Sequence, residues 1–350
     1  MTPRPAPPPP TERSIHLDDL GELVASIPSM IGFPPVDSLV LLTGPSIHRL
    51  QLGTTLRVDL PEPEHGPDLV GQLCLAASAN DVVAVVPVVI GGGTADPPDL
   101  PYRWLIELLA RELADVGVVV LHPVWVRAVG HDETWWCYEN VECTGQVRDP
   151  RAAVVRAAYT AAGFVTYASR EEMAAHLAPD PEDEVAHRAQ LLAERATVTG
   201  PNPLEQWQAV RAAIEAAGTW TELPDLDDDQ IVNLAEALCE PLVRDNCLAA
   251  LLTDLSEPAD RLWTLLTRAI PAPERAEPAC LLAMNAFLRG EGVLANVALE
   301  AALEADPDHE MAALIHKAIE TCMPPNDFRD LLAKSVAKAD LLYTEAEARE

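Results

Sequence analysis

Residues 55–60, Thr-Leu-Arg-Val-Asp-Leu, alternate polar and apolar side chains. In a strand this spacing puts Thr55, Arg57 and Asp59 on one face and Leu56, Val58 and Leu60 on the other. A guanidinium two residues from a carboxylate can bind an anionic group while the carboxylate acts as a base or orients a partner. The same row can equally be a solvated face whose charges pair with each other. Asp37, just ahead of an apolar run, is a third candidate for the same place, although Asp followed by Ser38 also suits a turn. Gly91, Gly92 and Gly93, followed by Thr94, end another apolar run, and successive glycine amides can cradle phosphate. Such a loop wants a lysine and an immediate helix start, whereas Asp96 and Asp99 follow and repel an anion, so a flexible connection is the expected role.

Asp225, Asp227, Asp229 and Glu236 have the spacing of a calcium-binding loop, but Gln230 stands where the sharp turn needs glycine. Asp227, Asp228 and Asp229 are also well suited to open a helix, where the dipole favours acids, and that is the expected role. His309 and His316 lack the spacing that puts two zinc ligands on one helical face. Cys137 and Cys143 can pair or hold a soft metal, yet no second cysteine pair sits at metal-site spacing, and structural thiols are the default. No Gly-x-Ser-x-Gly elbow is present, and His122, His131 and His187 lie in unrelated contexts. Neither a metal nor a cofactor is expected, and whether the protein is an enzyme stays open.

Around these residues the periodicity predicts two halves. An apolar run at 38–43 and an alternating run at 50–60, joined through Gly44-Pro45, read as a hairpin. A helical segment near 67–79 leads to the run 82–90, a second at 101–115 leads to 118–126, and 135–138 closes another hairpin. The order β-β-α-β-α-β-β fits a mixed sheet, and runs apolar on both faces need helices on both, so a layered α/β half is expected. Pro87 and Pro123 each remove a ladder donor, making those strands edges or bulged. Trp104, Trp125, Trp135 and Trp136 should fill the core or its rim.

From Arg148 onward the pattern is helical, and no strand is expected after about residue 168. Ser169 and Glu172 have capping-box spacing, Pro203 follows Asn202 as a first-turn residue, and Asp306-Pro307 reads as a helix start. Ala298, Ala301, Ala302 and Ala305 put small side chains on one helical face. Residues 276–321 resemble one helix-turn-helix unit of a tetratricopeptide-type repeat, although an all-helical layer explains them equally. The expected domains are a disordered proline-rich head at 1–12, a mixed α/β domain at 13–147 and a helical domain at 148–350.

Composition narrows the function classes. With 350 residues, 49% of them apolar, the chain can bury sizeable cores. Residues 1–12 lack the apolar stretch of a signal peptide, and VVAVVPVVI at 82–90 is far shorter than the run of about 20 residues that crosses a bilayer. The formal charge of −31 repels phosphates and anionic headgroups, and the only lysines are Lys317, Lys334 and Lys338. Nucleic acid and membrane are therefore not expected partners. Seven scattered cysteines, Cys74, Cys137, Cys143, Cys239, Cys247, Cys280 and Cys322, read as reduced thiols in the cytoplasm.

Five separated segments carry a resemblance: SIPSMIGFPPVDSLVLL at 26–42, RVDLP at 57–61, RDPRAAVVRAAYTAAGFVTYASREEM at 148–173, VRDNCL at 243–248 and NAFLRGEGVLANVALEAALEADPDH at 285–309. In that order they resemble the actinobacterial domain-of-unknown-function family numbered 4192. The resemblance implies a soluble bacterial protein of undetermined role, with no catalytic residue to carry over. Members look cysteine-rich after the tryptophan-rich strand, with a Cys-Cys-Pro element. Here only Cys137 and Cys143 stand in that stretch.

The leading expectation is a non-catalytic interaction or scaffold protein acting through its helical half, with a protein partner or self-association. The alternative is a small-molecule-binding enzyme, a hydrolase or nucleotide-processing protein, with Asp37, Arg57 and Asp59 converging on the α/β half. A third reading has the acidic charge imitate a polyanion toward a basic partner, although acids dispersed through the helices argue against a dedicated patch.

Overall fold

The computed structural model describes residues 14–15, 19–44, 50–51, 55–140, 142–161, 163–195, 202–220, 224 and 226–347. The head expected at 1–12, Pro45 of the first turn and Asp225 lie outside the described residues. The chain divides into two compact units at Arg170/Glu171, with Thr321–Pro324 grouped with the first.

The first unit runs β1 (Ser14–Ile15), α1 (Leu20–Ile31), β2 (Ser38–Gly44), β3 (Leu50–Gln51), β4 (Thr55–Asp59), α2 (Gly66–Ala79), β5 (Ala84–Ile90), α3 (Arg103–Asp115), β6 (Val119–Val120), β7 (Val124–Val126), β8 (Thr134–Cys137), β9 (Thr144–Gln146) and α4 (Val154–Ala161). Seven strands form a mixed sheet in the order β4-β2-β5-β7-β8-β9, with β6 beside β5. β2 and β4 are antiparallel, as the alternation implied, but the Leu50–Gln51 part of that run leaves the sheet and pairs with β1.

Both faces of the sheet are covered. Leu39, Leu41, Val85, Val89 and Trp125 form one core with Val70 and Leu73 of α2 and Leu105, Leu109 and Leu113 of α3. The alternate residues Val40, Leu42, Val86 and Val88 face the other way and are fully buried. That second face carries α1, which the sequence did not announce. Its N-terminal end lies against β9 and its C-terminal end against β4, so it crosses the sheet from edge to edge. Eleven of its twelve residues are buried. Pro28 inside it withdraws one helical hydrogen bond, and Gly32, in the left-handed region at φ 91°, ends it by donating its N–H to the Pro28 carbonyl.

β5 is central, so Pro87 is not on an edge. Val83 and Val85 carbonyls accept from Val119 and Leu121, and Gly91 N–H donates to Val126, so odd-numbered residues of β5 direct their backbone polar groups toward β6 and β7. Pro87 therefore presents its missing donor to that side. Ala84 pairs with Val119 whereas Val88 pairs with Val124, so the partner carries one extra residue over the same span. That bulge lies between β6 and β7, at Leu121–Pro123, with His122 at φ 41°. The two prolines thus face a common break in the ladder, and neither leaves an unmatched bond elsewhere.

Residues 148–170 group with the sheet although their pattern is helical. α4 packs on α1, Arg148 N–H donates to the Gly21 carbonyl at 3.3 Å, and Tyr167 N–H donates to Gly32 at 2.7 Å.

The second unit is helical: α5 (Arg170–His176), α6 (Glu182–Arg195), α7 (Pro203–Ala217), α8 (Asp228–Cys239), α9 (Pro241–Ala250), α10 (Ser256–Ala269), α11 (Ala276–Leu288), α12 (Gly292–Ala305), α13 (Glu310–Glu320) and α14 (Pro325–Glu347). Among the described residues no strand follows β9. From α10 to α13 each helix packs on the one before it. Residues 276–321, read from sequence as one repeat-like unit, form α11, α12 and α13, and α11 and α12 are joined by a turn in which Gly290 takes φ 81°. Ala295, Ala298 and Ala302, all fully buried, let α12 lie close to α11. Asp306-Pro307 does not open α13. Asp306 ends α12, its carboxylate accepts the Asp308 N–H, and His309 caps the next helix through Nδ1, which accepts from Ala312 N–H at 3.0 Å. The helix therefore begins at Glu310.

Candidate functional site

Ser38 pairs with Asp59 on one side and with Ile90 on the other. The start of β2, the end of β4 and the end of β5 therefore meet, and Asp37, Arg57, Asp59 and Gly91–Gly93 come to one end of the sheet. This is the carboxyl end of β5, beside its parallel neighbour β7, the position where open α/β sheets tend to bind ligands.

Side-chain geometry closes most of this group on itself. Asp37 takes φ 42°; its carbonyl accepts the Leu60 N–H at 2.9 Å and its Oδ1 accepts the Gly92 N–H at 2.8 Å. It clamps the β4 and β5 exits together. Arg57 donates from Nε to Ser38 Oγ at 3.0 Å and from Nη2 to Asp59 Oδ1 at 2.5 Å. The Arg57 side chain is 19% exposed and that of Asp59 82%. Ion pairing of such exposure contributes about 0–1 kcal/mol, so an incoming anion could replace Asp59 on Arg57 at little cost.

The glycine loop serves packing. Gly91, Gly92 and Gly93 have φ of 77°, 69° and 144°. The Gly91 N–H is bonded to Val126, its carbonyl accepts from Trp125 Nε1 at 2.9 Å, and the Gly92 N–H is held by Asp37. A Cβ on Gly92 would stand 2.5 Å from the Tyr102 ring. Tyr102 has its phenol pushed up by burial and by Glu62 and Asp37, a field that disfavours an incoming anion at this loop.

A separate concavity of about 510 Å³ lies along α3 and β6 in the same unit. Its walls include Arg103, Glu107, Val119, Tyr138 and Glu139. Arg103 donates to the carbonyls of Tyr138 at 3.0 Å and Pro98 at 2.6 Å and lies over the Tyr138 ring, while the Tyr138 hydroxyl donates to Pro101 at 2.6 Å. Burial pushes the Tyr138 phenol far up despite Arg103. These residues fall in no sequence motif.

In the helical unit, Asp227 is the N-cap of α8, and a capping box joins it to Gln230 in both directions. Asp229 pairs with Arg195 at 2.5 Å, and Glu236 lies 3.7 Å from the same guanidinium. These acids hold the α6–α8 contact, and among the described residues no group of three or more His, Cys, Asp or Glu is arranged to hold a metal ion. Arg188, buried on α6, is bonded to Asp180 at 2.9 Å, Asp228 at 2.8 Å and Glu184 at 3.1 Å. Only its helical spacing from Glu184 was legible beforehand.

Glu277 of α11 lies between Arg244 of α9 at 3.4 Å and His309 at 3.4 Å. His309 Nδ1 accepts the Ala312 N–H, which turns Nε2 toward Glu277. Burial, followed by Glu277, pushes the thiols of the buried Cys247 and Cys280 far up, so these two are protonated structural thiols rather than nucleophiles, whereas Cys239 is exposed. The indole rings behave as fillers: Trp125 and Trp135 are buried, with Trp104 and Trp136 at the rim.

Fold and site together define a layered α/β unit with a mixed sheet, followed by an all-helical unit. The family model for a domain of unknown function (DUF4192) matches residues 21–326, and the chain belongs to that family. No curated protein and no solved structure matches it. Among the described residues no helix is long and apolar enough to cross a membrane.

Proposed function

We propose that the protein is a cytoplasmic, non-catalytic interaction protein of actinobacterial type that acts through its helical unit. The outer face of α13 carries the reading. Leu314 there is 66% exposed, and it shares a helical face with the half-buried Met311 and Ala318. α13 closes the run of successively packed helices that begins at α10, and in stacked helical arrays the apolar face of a last helix is where a further helix packs. Elsewhere in the same unit guanidiniums serve as braces, with Arg188 and Arg289 tied to carboxylates and Arg275 to carbonyls.

The partner is another protein or a second copy of the chain, and nucleic acid and membrane play no part. Native mass spectrometry of the wild type and of Leu314→Asp tests this. The wild type should carry a second copy or a retained protein and the variant should not. Bare monomers from both, or an assembly indifferent to the substitution, would overturn the proposal.

A second reading, ligand binding by the α/β unit, is favoured by the convergence of Asp37, Arg57 and Asp59 at one sheet end. Its ligand would be a small anion displacing Asp59 from Arg57. Wild-type protein should then gain thermal stability with adenosine triphosphate while Arg57→Ala does not, and equal responses would remove it.

A further inference from the structure

The β8–β9 hairpin pairs Trp136 with Thr144, so the next step of the same register sets Cys137 directly opposite Cys143. The Cys137 N–H donates to the Cys143 carbonyl at 3.0 Å, which supports that opposition, while the Cys143 N–H turns to the Asn140 carbonyl at 3.0 Å. Opposed residues at a hydrogen-bonded antiparallel position have Cα atoms about 5.5 Å apart and project their side chains to the same face. A disulfide spans Cα separations of about 4.4–6.8 Å and Cβ separations of about 3.5–4.5 Å, so the opposed Cβ atoms, about 4.5–5.5 Å apart, need draw together by only about 1 Å to close it. Both thiols are free, and Cys137 is among the neighbours that push the Cys143 thiol up. Their exposures differ: Cys137 is 2% exposed, whereas Cys143 is half-buried and reachable from solvent.

We propose that Cys137 and Cys143 form a redox-modification site, a reversible cross-strand disulfide made by exchange with a small-molecule disulfide of the glutathione class. Cys143 gives its proton to solvent and its thiolate attacks one sulfur of the small disulfide. The Cys143–sulfur bond forms, the small S–S bond breaks, and one small thiolate leaves. Cys137 then loses its proton and attacks the Cys143 sulfur, forming the internal bridge and releasing the second small thiolate. Two protein thiols are oxidised and one small disulfide is reduced to two thiols.

Burial, Cys137 and Glu139 hold the Cys143 thiol up, so the exchange is slow at neutral pH and faster in mild alkali. A cytoplasmic pair of this kind would be transient and redox-responsive rather than permanent. The bridge closes over the segment that contributes Tyr138 and Glu139 to the α3–β6 concavity, so oxidation would tie down one wall of that space.

The test uses full-length protein incubated with oxidised glutathione in mild alkali, then denatured, alkylated with iodoacetamide and weighed intact, with disulfides mapped in a non-reducing digest. The expected result is the loss of two of the seven alkylatable thiols, a peptide joining Cys137 to Cys143, and full reversal by dithiothreitol. Cys143→Ser should show neither the bridge nor an adduct at the buried Cys137. A stable glutathione adduct on Cys143 with no internal bridge would overturn the proposal, as would both residues remaining fully alkylatable.

Discussion

His176, the exposed last residue of α5, carries a modest pH effect whose sign is set by its surroundings. Partial desolvation, reinforced by Arg268 and opposed by Asp260, lowers its pKa below the ordinary 6.5. The unfolded chain therefore binds a proton at a higher pH than the folded one, and stability falls as the pH drops through 6.5 toward the folded value. His176→Asn should flatten that part of the urea-midpoint profile, and a profile as steep as the wild type's would contradict it. Asp227 gives a second single-residue expectation. As the N-cap of α8 it accepts the Gln230 N–H at 2.8 Å, so Asp227→Ala should destabilise the protein by about 1 kcal/mol. Because the role is capping, the loss in a urea titration should be the same with calcium or with a chelator. A loss appearing only with calcium would restore the calcium-loop reading.

β5 and its partner make a stronger demand than any one side chain. Pro87 in a central strand would ordinarily be a defect, and replacement by a residue with an N–H would be expected to help. Here the new N–H of Pro87→Ala would face the bulge at Leu121–Pro123, inside a fully buried strand and where the β5 ladder changes register. An unsatisfied buried donor costs about 1–3 kcal/mol, so the variant should be less stable than the wild type by chemical denaturation, and a gain would show that the bulge is not fixed.

The same strands show what was legible in the sequence. Alternation at 55–60 gave the β2–β4 hairpin because period two survives whenever one face differs from the other. The bulge was half legible: the prolines announced an edge or an irregularity, but only the register decides which. α1 was hidden because Pro28 inside it reads as a helix breaker, and Ser26 and Ser29 on a helix buried on almost every side gave no solvent-facing signal. The meeting of Asp37, Arg57, Asp59 and Gly91–Gly93 depended on sheet order, which local pattern does not encode. The contacts that closed the group, Arg57 to Ser38 and Asp37 to Gly92, followed from that order.

At the scale of the whole molecule, charge separates two kinds of association. With 24 Lys and Arg against 55 Asp and Glu, the net charge is −31, so two copies repel one another at any distance shorter than the screening length. That length falls from about 30 Å at 0.01 M salt to about 8 Å at physiological ionic strength. Association through the apolar face of α13 gains nothing from charge attraction, and burial of Leu314 is little affected by salt at these concentrations. Self-association should therefore strengthen as salt rises, with sedimentation velocity showing a larger assembled fraction at physiological than at low ionic strength, and Leu314→Asp should abolish the trend. A basic partner drawn to the acidic surface behaves oppositely, because screening removes the attraction that recruits it. Binding that weakens as salt rises and is indifferent to Leu314→Asp would therefore transfer the interaction from the α13 face to the acidic surface.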